Sequence, residues 1–250
     1  MSDQNIVAGI GEESVAIHRK VVTSEQFLDK AAEKSASNGR GSENDFRYLE
    51  VADTVVDARN LENAEFNFSK FSNVTFSNCD LSYAEFKGAE LHHVTFSHCK
   101  IERSYFDFAQ MDEVSFTNCF VNSSEFDFAS GRVSFSACSM EGTEFPMSAL
   151  ELTLRQCNLC RAELNGSSML HLHAEASDFS RAELNDCALA GEAKECVFSN
   201  AEFYGSDGTA FRFLGCKLRD ISTNGAIGIS EDDSDESDDS LDDELEKLFK

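Results

Sequence analysis

From Phe46 onward a large apolar residue returns every five positions. The series runs Phe46, Val51, Val56, Leu61, Phe66, Phe71, Phe76, Leu81, Phe86, Leu91, Phe96, Ile101, Phe106, Met111, Phe116, Val121, Phe126. A period of five fits neither the helical 3.6 nor the strand 2.0. Two residues before most of these stands a small or β-branched side chain, as in Ala64, Ser69, Val74, Cys79 and Ala84. An in–out–in triplet followed by two residues that turn a corner makes a short strand with a bend. Four such sides close a square coil of 20 residues, and the sequence repeats at 20 as well: SNVTF-SNCDL-SYAEF-KGAEL aligns with HHVTF-SHCKI-ERSYF-DFAQM. The register slips by one near Gly131, Glu151 and Glu195, shortening some coils to 19. Lys194 and Ala174 fall in slots that call for a large apolar residue, which predicts weaker packing or a local loop near 170–197. From Phe46 to Leu218 there is room for about 8.6 coils, a rod roughly 41 Å long at a strand spacing of ~4.8 Å.

Outside the repeat, Thr23-Ser24-Glu25-Gln26 has the form of a capping box and predicts a helix to about Ser35. SNGRGSEN then reads as a linker. At the other end, ISEDDSDESDDSLDDELEKLFK is an acidic Ser/Asp tract that reads as a disordered tail. Its last residues could form a short amphipathic helix with Leu241, Leu245, Leu248 and Phe249 on one side. The organisation expected is an N-terminal extension with a short helix (1–43), a repeat rod (44–221) and an acidic C-terminal tail (222–250). Open coil ends expose apolar residues and unpaired strand edges. The helix and the Ile221–Ile229 stretch are natural caps, unless one end is covered by a second copy in a homodimer.

The cysteines bear on chemistry first. Cys79, Cys99, Cys119, Cys138, Cys157, Cys196 and Cys216 share the small inward slot of one side, with Ser177 in the remaining coil. A straight column of thiols offers no tetrahedral set with histidine, so packing is the plainer reading and no metal is expected. Nine cysteines, an odd number, argue for free thiols in a reducing compartment. Cys157-x-x-Cys160 should face apart. His92, His93, His98, His171 and His173 form two small groups, with His171-x-His173 either surface decoration or a weak metal site. No G-x-S-x-G, H-E-x-x-H or phosphate-loop motif is present, and regular coils leave no obvious pocket; the reading is a non-enzyme with no catalytic residues and no cofactor.

Charge changes the picture more. Lys plus Arg is 21 against 46 for Asp plus Glu, a formal net charge of −25. That speaks against direct binding to nucleic acid or an anionic membrane. No apolar run approaches the roughly 20 residues of a membrane span, and the N-terminus lacks a basic region ahead of its short apolar run. A cytoplasmic location is expected. One outward position carries the acid systematically: Asp45, Glu65, Glu85, Tyr105, Glu125, Glu144, Glu163, Glu183 and Glu202, each just before the core residue of the same side. Like charges on neighbouring strands repel at a cost of a few tenths to about 1 kcal/mol each. Plain solubility is one explanation of the line; a basic partner is the other.

The triplets Ala64-Glu65-Phe66, Ala84-Glu85-Phe86, Ala89-Glu90-Leu91, Ala162-Glu163-Leu164, Ala182-Glu183-Leu184 and Ala201-Glu202-Phe203 resemble the A-(D/N)-L-x-x motif of the pentapeptide repeat family, with Glu favoured over Asp or Asn. The resemblance spans about 44–221 and implies an all-β, right-handed quadrilateral β-helix. It also implies a function, since several family members bind bacterial topoisomerases, DNA gyrase above all, and protect them from drugs or toxins. Duplex DNA carries one charge per ~1.7 Å of axis. A rigid acidic rod could imitate it in a basic DNA-binding groove, with the eight carboxylates of the line as contacts. The alternative is an interaction scaffold or secreted bacterial effector whose terminal segments dock a partner.

Overall fold

The computed structural model describes residues 6–8, 15–36 and 44–230. The linker after the helix and the acidic tail from 231, with its Leu241–Phe249 segment, lie outside the described residues. Strands β1 (Ile6–Ala8) and β2 (Val15–Ile17) pair antiparallel. All other strands belong to one parallel solenoid. They are β3 (Lys20–Val21), β4 (Leu49–Asp57), β5 (Lys70–Ser77), β6 (Glu90–His92), β7 (Thr95–Ser97), β8 (Gln110–Thr117), β9 (Ser130–Ser136), β10 (Ala149–Arg155), β11 (Ser168–Glu175), β12 (Ala188–Lys194) and β13 (Asp207–Leu214).

Each coil stacks on the next with a parallel ladder, as in Val51↔Phe71 and Val56↔Phe76 between β4 and β5. Two further sides per coil pair through single bridges, such as Asn60↔Asp80 and Glu65↔Glu85. The corner residue lies two positions after a core residue and has positive φ, as at Asn63 (58°) and Phe68 (60°). At two of the four corners a β-turn bond closes the bend: Ala64 N–H donates to Leu61 O at 3.0 Å and Ser69 N–H to Phe66 O at 3.1 Å. These corners are where five residues per side come from. Three residues form the side and two turn the backbone onto the next side.

The core is columnar. Phe46, Phe66, Phe86, Phe106, Phe126 and Phe145 stack with centroids 4.7–5.0 Å apart. Phe76, Phe96, Phe116 and Phe135 form a second stack, and the two columns meet edge to face, Phe96 against Phe106 at 6.2 Å and 88°. Both geometries are favoured by the ring quadrupole. Small inward hydroxyls are satisfied by the coil below: Ser69 Oγ–H donates to Phe46 O at 2.7 Å, and Ser124 Oγ–H to Ile101 O at 2.6 Å.

The slips confirm the 19-residue coils but move one of them. Ladder register shifts between Met111 and Val114, opposite Gly131, and again where β10 passes to β11. The third slip lies at Gly191 rather than near Glu195. Gly131 has φ of 111° and a β-carbon there would lie 1.8 Å from Met111 O; Gly191 has φ of 122° and the distance would be 2.1 Å to Leu172 O. Only glycine lets a strand lose a residue while its neighbour passes this close.

That displacement corrects the expectation for 170–197. No loop interrupts the rod there, because β11 and β12 run through. With the slip at Gly191 the inward residue is Ala193, and Lys194 points out to Glu195 (3.2 Å) and Glu175 (3.7 Å). Ala174 and Ala193 continue the column of Phe135 and Leu154. The missing volume is filled from the next side: Phe179 and Phe198 stand where other coils carry leucine or isoleucine, stacked at 4.7 Å.

Helix α1 (Ser24–Ala36) closes the N-terminal end. Its capping box is reciprocal, with Gln26 N–H donating to Thr23 Oγ1 at 3.2 Å and Thr23 N–H to Gln26 Oε1 at 3.0 Å. Phe27 and Ala31, one turn apart, are buried on the first coil, and the Phe27 ring meets Phe46 and Phe71 edge-on at 5.7 and 5.9 Å. At the other end Gly208 N–H donates to Ile227 O at 2.8 Å, and Ile229 packs over Gly208.

Candidate acidic interaction face

The nine positions of the acidic line fall on one ladder. Bridges run Asp45↔Glu65↔Glu85↔Tyr105↔Glu125↔Glu144↔Glu163↔Glu183↔Glu202 without a break. Each residue is flanked by an inward small residue and an inward Phe or Leu, so the backbone leaves its side chain only the outward direction.

The line is not electrostatically uniform. Near the N-terminal end Arg47 bonds Asp45 at 3.0 Å and lies 3.2 Å from Glu65. The Arg47 hydrogen bond holds the Asp45 carboxyl below its usual range. Glu85 accepts from Asn67 at 2.7 Å, Glu183 from Asn165 at 2.9 Å and Glu202 from Asn185 at 3.4 Å. These amides stand two positions further along the same side, an outward column that begins Arg47, Asn67, Lys87, Asp107, Asp127. In the middle of the rod that column turns acidic. Asp107 and Asp127 join Glu125 and Glu144, and Lys87 is the cation that meets them, its Nζ 3.0 Å from Asp107 Oδ2. Partial burial, followed by the neighbouring carboxylates, pushes the Glu125, Asp127 and Glu144 carboxyls up from their ordinary values. One oxygen each of Asp107 and Asp127 is buried without a hydrogen bond among the described residues.

The two corners bordering this face differ. One carries Arg103, lying on the Tyr83 ring with a 2.9 Å bond to its hydroxyl, and Arg161, 3.0 Å from Glu141. The other carries Tyr48 and Phe68, stacked at 5.4 Å, then Gly88, then Phe108 and Phe128, stacked at 5.0 Å and 2°, then Met147. Phe108 and Phe128 are 55% and 52% exposed. Sequence reasoning missed this ridge and the Asp107/Asp127 pair. The signal available was the offset alone: Phe108 stands two residues after the core residue Phe106 and therefore on a corner.

The thiols pack as a column. Cys79, Cys99 and Cys119 are buried and each donates weakly to a carbonyl of the coil below: Val56 O, Phe76 O and Phe96 O at 3.4 Å. Hydrogen bonding between successive thiols and burial push Cys99 and Cys119 up to about 12. Cys157 points inward and Cys160 outward, half-buried. Among the described residues no three His, Cys, Asp or Glu side chains converge as metal donors.

The expectation of no pocket needs revision on the side carrying β8 to β11. Where the register slips, an open groove of about 410 Å³ is lined by Glu113, Arg132, Glu151, Thr153, His171 and His173. Two of its charges are engaged, with Arg132 3.3 Å from Glu113 and His93 Nδ1 2.8 Å from the same carboxylate.

Residues 58–126 match the family model of a pentapeptide repeat region. No curated protein shows significant sequence similarity to the chain. Among solved structures, HetL is a pentapeptide repeat protein involved in heterocyst differentiation regulation, from the cyanobacterium Nostoc sp. strain PCC 7120. It is 12% identical, with 78% of this chain and 94% of that chain covered and a TM-score of 0.38. A trypsin-treated form of QnrB1, a plasmid-mediated fluoroquinolone resistance protein, is 18% identical, with coverage of 79% and 96% and a TM-score of 0.32. Rfr23, a pentapeptide repeat protein from the cyanobacterium Cyanothece 51142, is 7% identical, with coverage of 80% and 93% and a TM-score of 0.15. The matched segment lies within the four-sided coils that the five-residue period closes, so over residues 58–126 the chain is similar in sequence to a pentapeptide repeat region.

Proposed function

We propose that the protein is a non-catalytic, cytoplasmic binding rod that imitates DNA toward a basic DNA-binding groove. A type II topoisomerase such as DNA gyrase is the first partner to test, with inhibition or protection as the outcome. The observation that carries the reading is a continuous ladder of nine outward positions, eight of them carboxylates, Asp45, Glu65, Glu85, Glu125, Glu144, Glu163, Glu183 and Glu202, with Tyr105 the ninth. Residues 44–228 hold 28 acids and 14 bases. Spread over the roughly 41 Å of rod, the acids alone match the linear charge density of a duplex. Regular backbone pairing gives the face the stiffness that imitation of a duplex requires. The engagement of α1 with the first coil weighs against a scaffold that docks through its N-terminal helix. A homodimer joined through a rod end would have to use the C-terminal end, since α1 occupies the other.

The test is competition. Purified gyrase holding a fluorescent duplex is titrated with the full chain and with a variant carrying Glu85→Gln, Glu125→Gln, Glu144→Gln and Glu163→Gln. The wild type should displace the duplex and the variant should do so at least ten-fold less well, while folding normally. Equal displacement by both, or displacement by neither, would overturn the reading for this partner.

A further inference from the structure

The ridge of Phe108, Phe128 and Met147 is costly where it stands. Phe108 and Phe128 occupy corners with φ of 58° and 55°. The left-handed region disfavours L-residues by roughly 1–2 kcal/mol, and bulky side chains are rare there. The same corner holds Gly88, Gly166 and Gly205 in other coils. The two rings do not recover the cost by burial, since each remains more than half exposed. Their mutual stacking returns part of it. Strain at an exposed site points to a use outside the fold.

Charge says what the use is. Beside the ridge lie Asp127, Glu125 and Glu144, whose carboxyls are raised by partial burial and by one another. A second copy of this chain, at −25, is repelled by such a face, and so is a nucleic acid. One coil below, the molecule displays the pairing that the site lacks. The Lys87 ammonium sits 3.0 Å from Asp107 and 4.2 Å from the centre of the Tyr105 ring, a cation held between carboxylate and aromatic. At the next coil the outward column offers Asp107 in the place of the lysine and Asp127 in the place of its carboxylate partner.

Resting on the rod's reading as a binder of basic surfaces, we propose that this ridge and the carboxylates beside it form the anchoring site for an arginine-bearing segment of the partner protein. A guanidinium lies flat against a ring and reaches a carboxylate with the same fork. An ammonium is more strongly hydrated and gains less from the ring. Selection of arginine over lysine therefore distinguishes this site from a general acidic attraction, to which the two are nearly equivalent.

The experiment uses fluorescent octa-arginine and octa-lysine peptides with the full chain at fixed salt. Three proteins are compared: wild type, Phe108→Asn with Phe128→Asn, and Glu125→Gln with Glu144→Gln. Asparagine suits the left-handed corner, so the first variant should melt no lower than wild type. Octa-arginine should bind wild type about three- to five-fold more tightly than octa-lysine. The asparagine variant should bring octa-arginine down to the octa-lysine level and leave octa-lysine unchanged. An arginine preference that is absent in wild type, or that survives in the asparagine variant, overturns the site. The glutamine variant should weaken both peptides. If it weakens neither, the acidic-face reading fails instead, whatever the aromatic variant does.

Discussion

Gly131 and Gly142 both have positive φ, the first inside β9 and the second on a corner, and they answer to different constraints. At Gly142 a β-carbon would meet only Ser123 Oγ at 3.7 Å; at Gly131 it would lie 1.8 Å from a backbone oxygen that cannot move without breaking the ladder. Gly142→Ala should therefore cost about 1 kcal/mol, the left-handed penalty alone. Gly131→Ala should cost ~3 kcal/mol or more, or shift the register of β8 and β9. Urea midpoints of the two variants decide it, and equal losses would mean that the slip is not held by Gly131. The sequence betrayed this glycine because the five-residue count fails beside it. It did not betray Phe108 and Phe128. Hydrophobicity says nothing about direction, and a Phe on a corner looks like a Phe in the core until the turn places it.

Among elements, the thiol column is the sharpest case of a slot being read correctly from spacing. The inward position admits only a small side chain that can bond the carbonyl below. In the coil where cysteine is absent Ser177 fills the slot, its Oγ accepting from Cys157 N–H of the coil below at 3.1 Å and donating to Glu175 O of its own coil at 3.0 Å. The thiols should titrate late. Their folded values near 12 lie above the ~8.5 of an exposed thiol, so between those limits the unfolded chain has released protons that the folded one retains. Stability is fully present below about pH 8.5 and falls as pH rises toward 12. Replacing Cys99, Cys119 and Cys138 by Ser should flatten the decline in melting temperature between pH 8 and 10.5, and native wild type should resist a thiol reagent at pH 8. Rapid labelling, or an alkaline decline that the serine variant retains, would contradict the packing account. The same spacing misread β12. A missing residue placed near Glu195 puts Lys194 into the core, whereas the backbone loses it at Gly191. A slip is visible in sequence only to within the few residues between two core positions.

The described coils form a stiff acidic rod, closed by α1 at one end, whose carboxylates converge toward its middle rather than lying evenly along it. The fold was legible because a single period runs through some 170 residues and each repeat reinforces the last. The candidate face was legible as a line of carboxylates. Its inner structure was not, because compensation by Arg47, Asn67, Asn165 and Asn185 depends on which outward columns are neighbours in space. The central claim is that binding is carried by this array of charges. The direct measurement is the affinity for a basic partner such as gyrase from 0.05 to 0.4 M salt, for wild type and for the variant with glutamine at positions 85, 125, 144 and 163. Many weak contacts are screened together as the Debye length falls from about 14 to about 5 Å. The account predicts a steep loss of affinity with salt for the wild type and a clearly shallower one for the variant. Parallel salt dependences for the two proteins would contradict it.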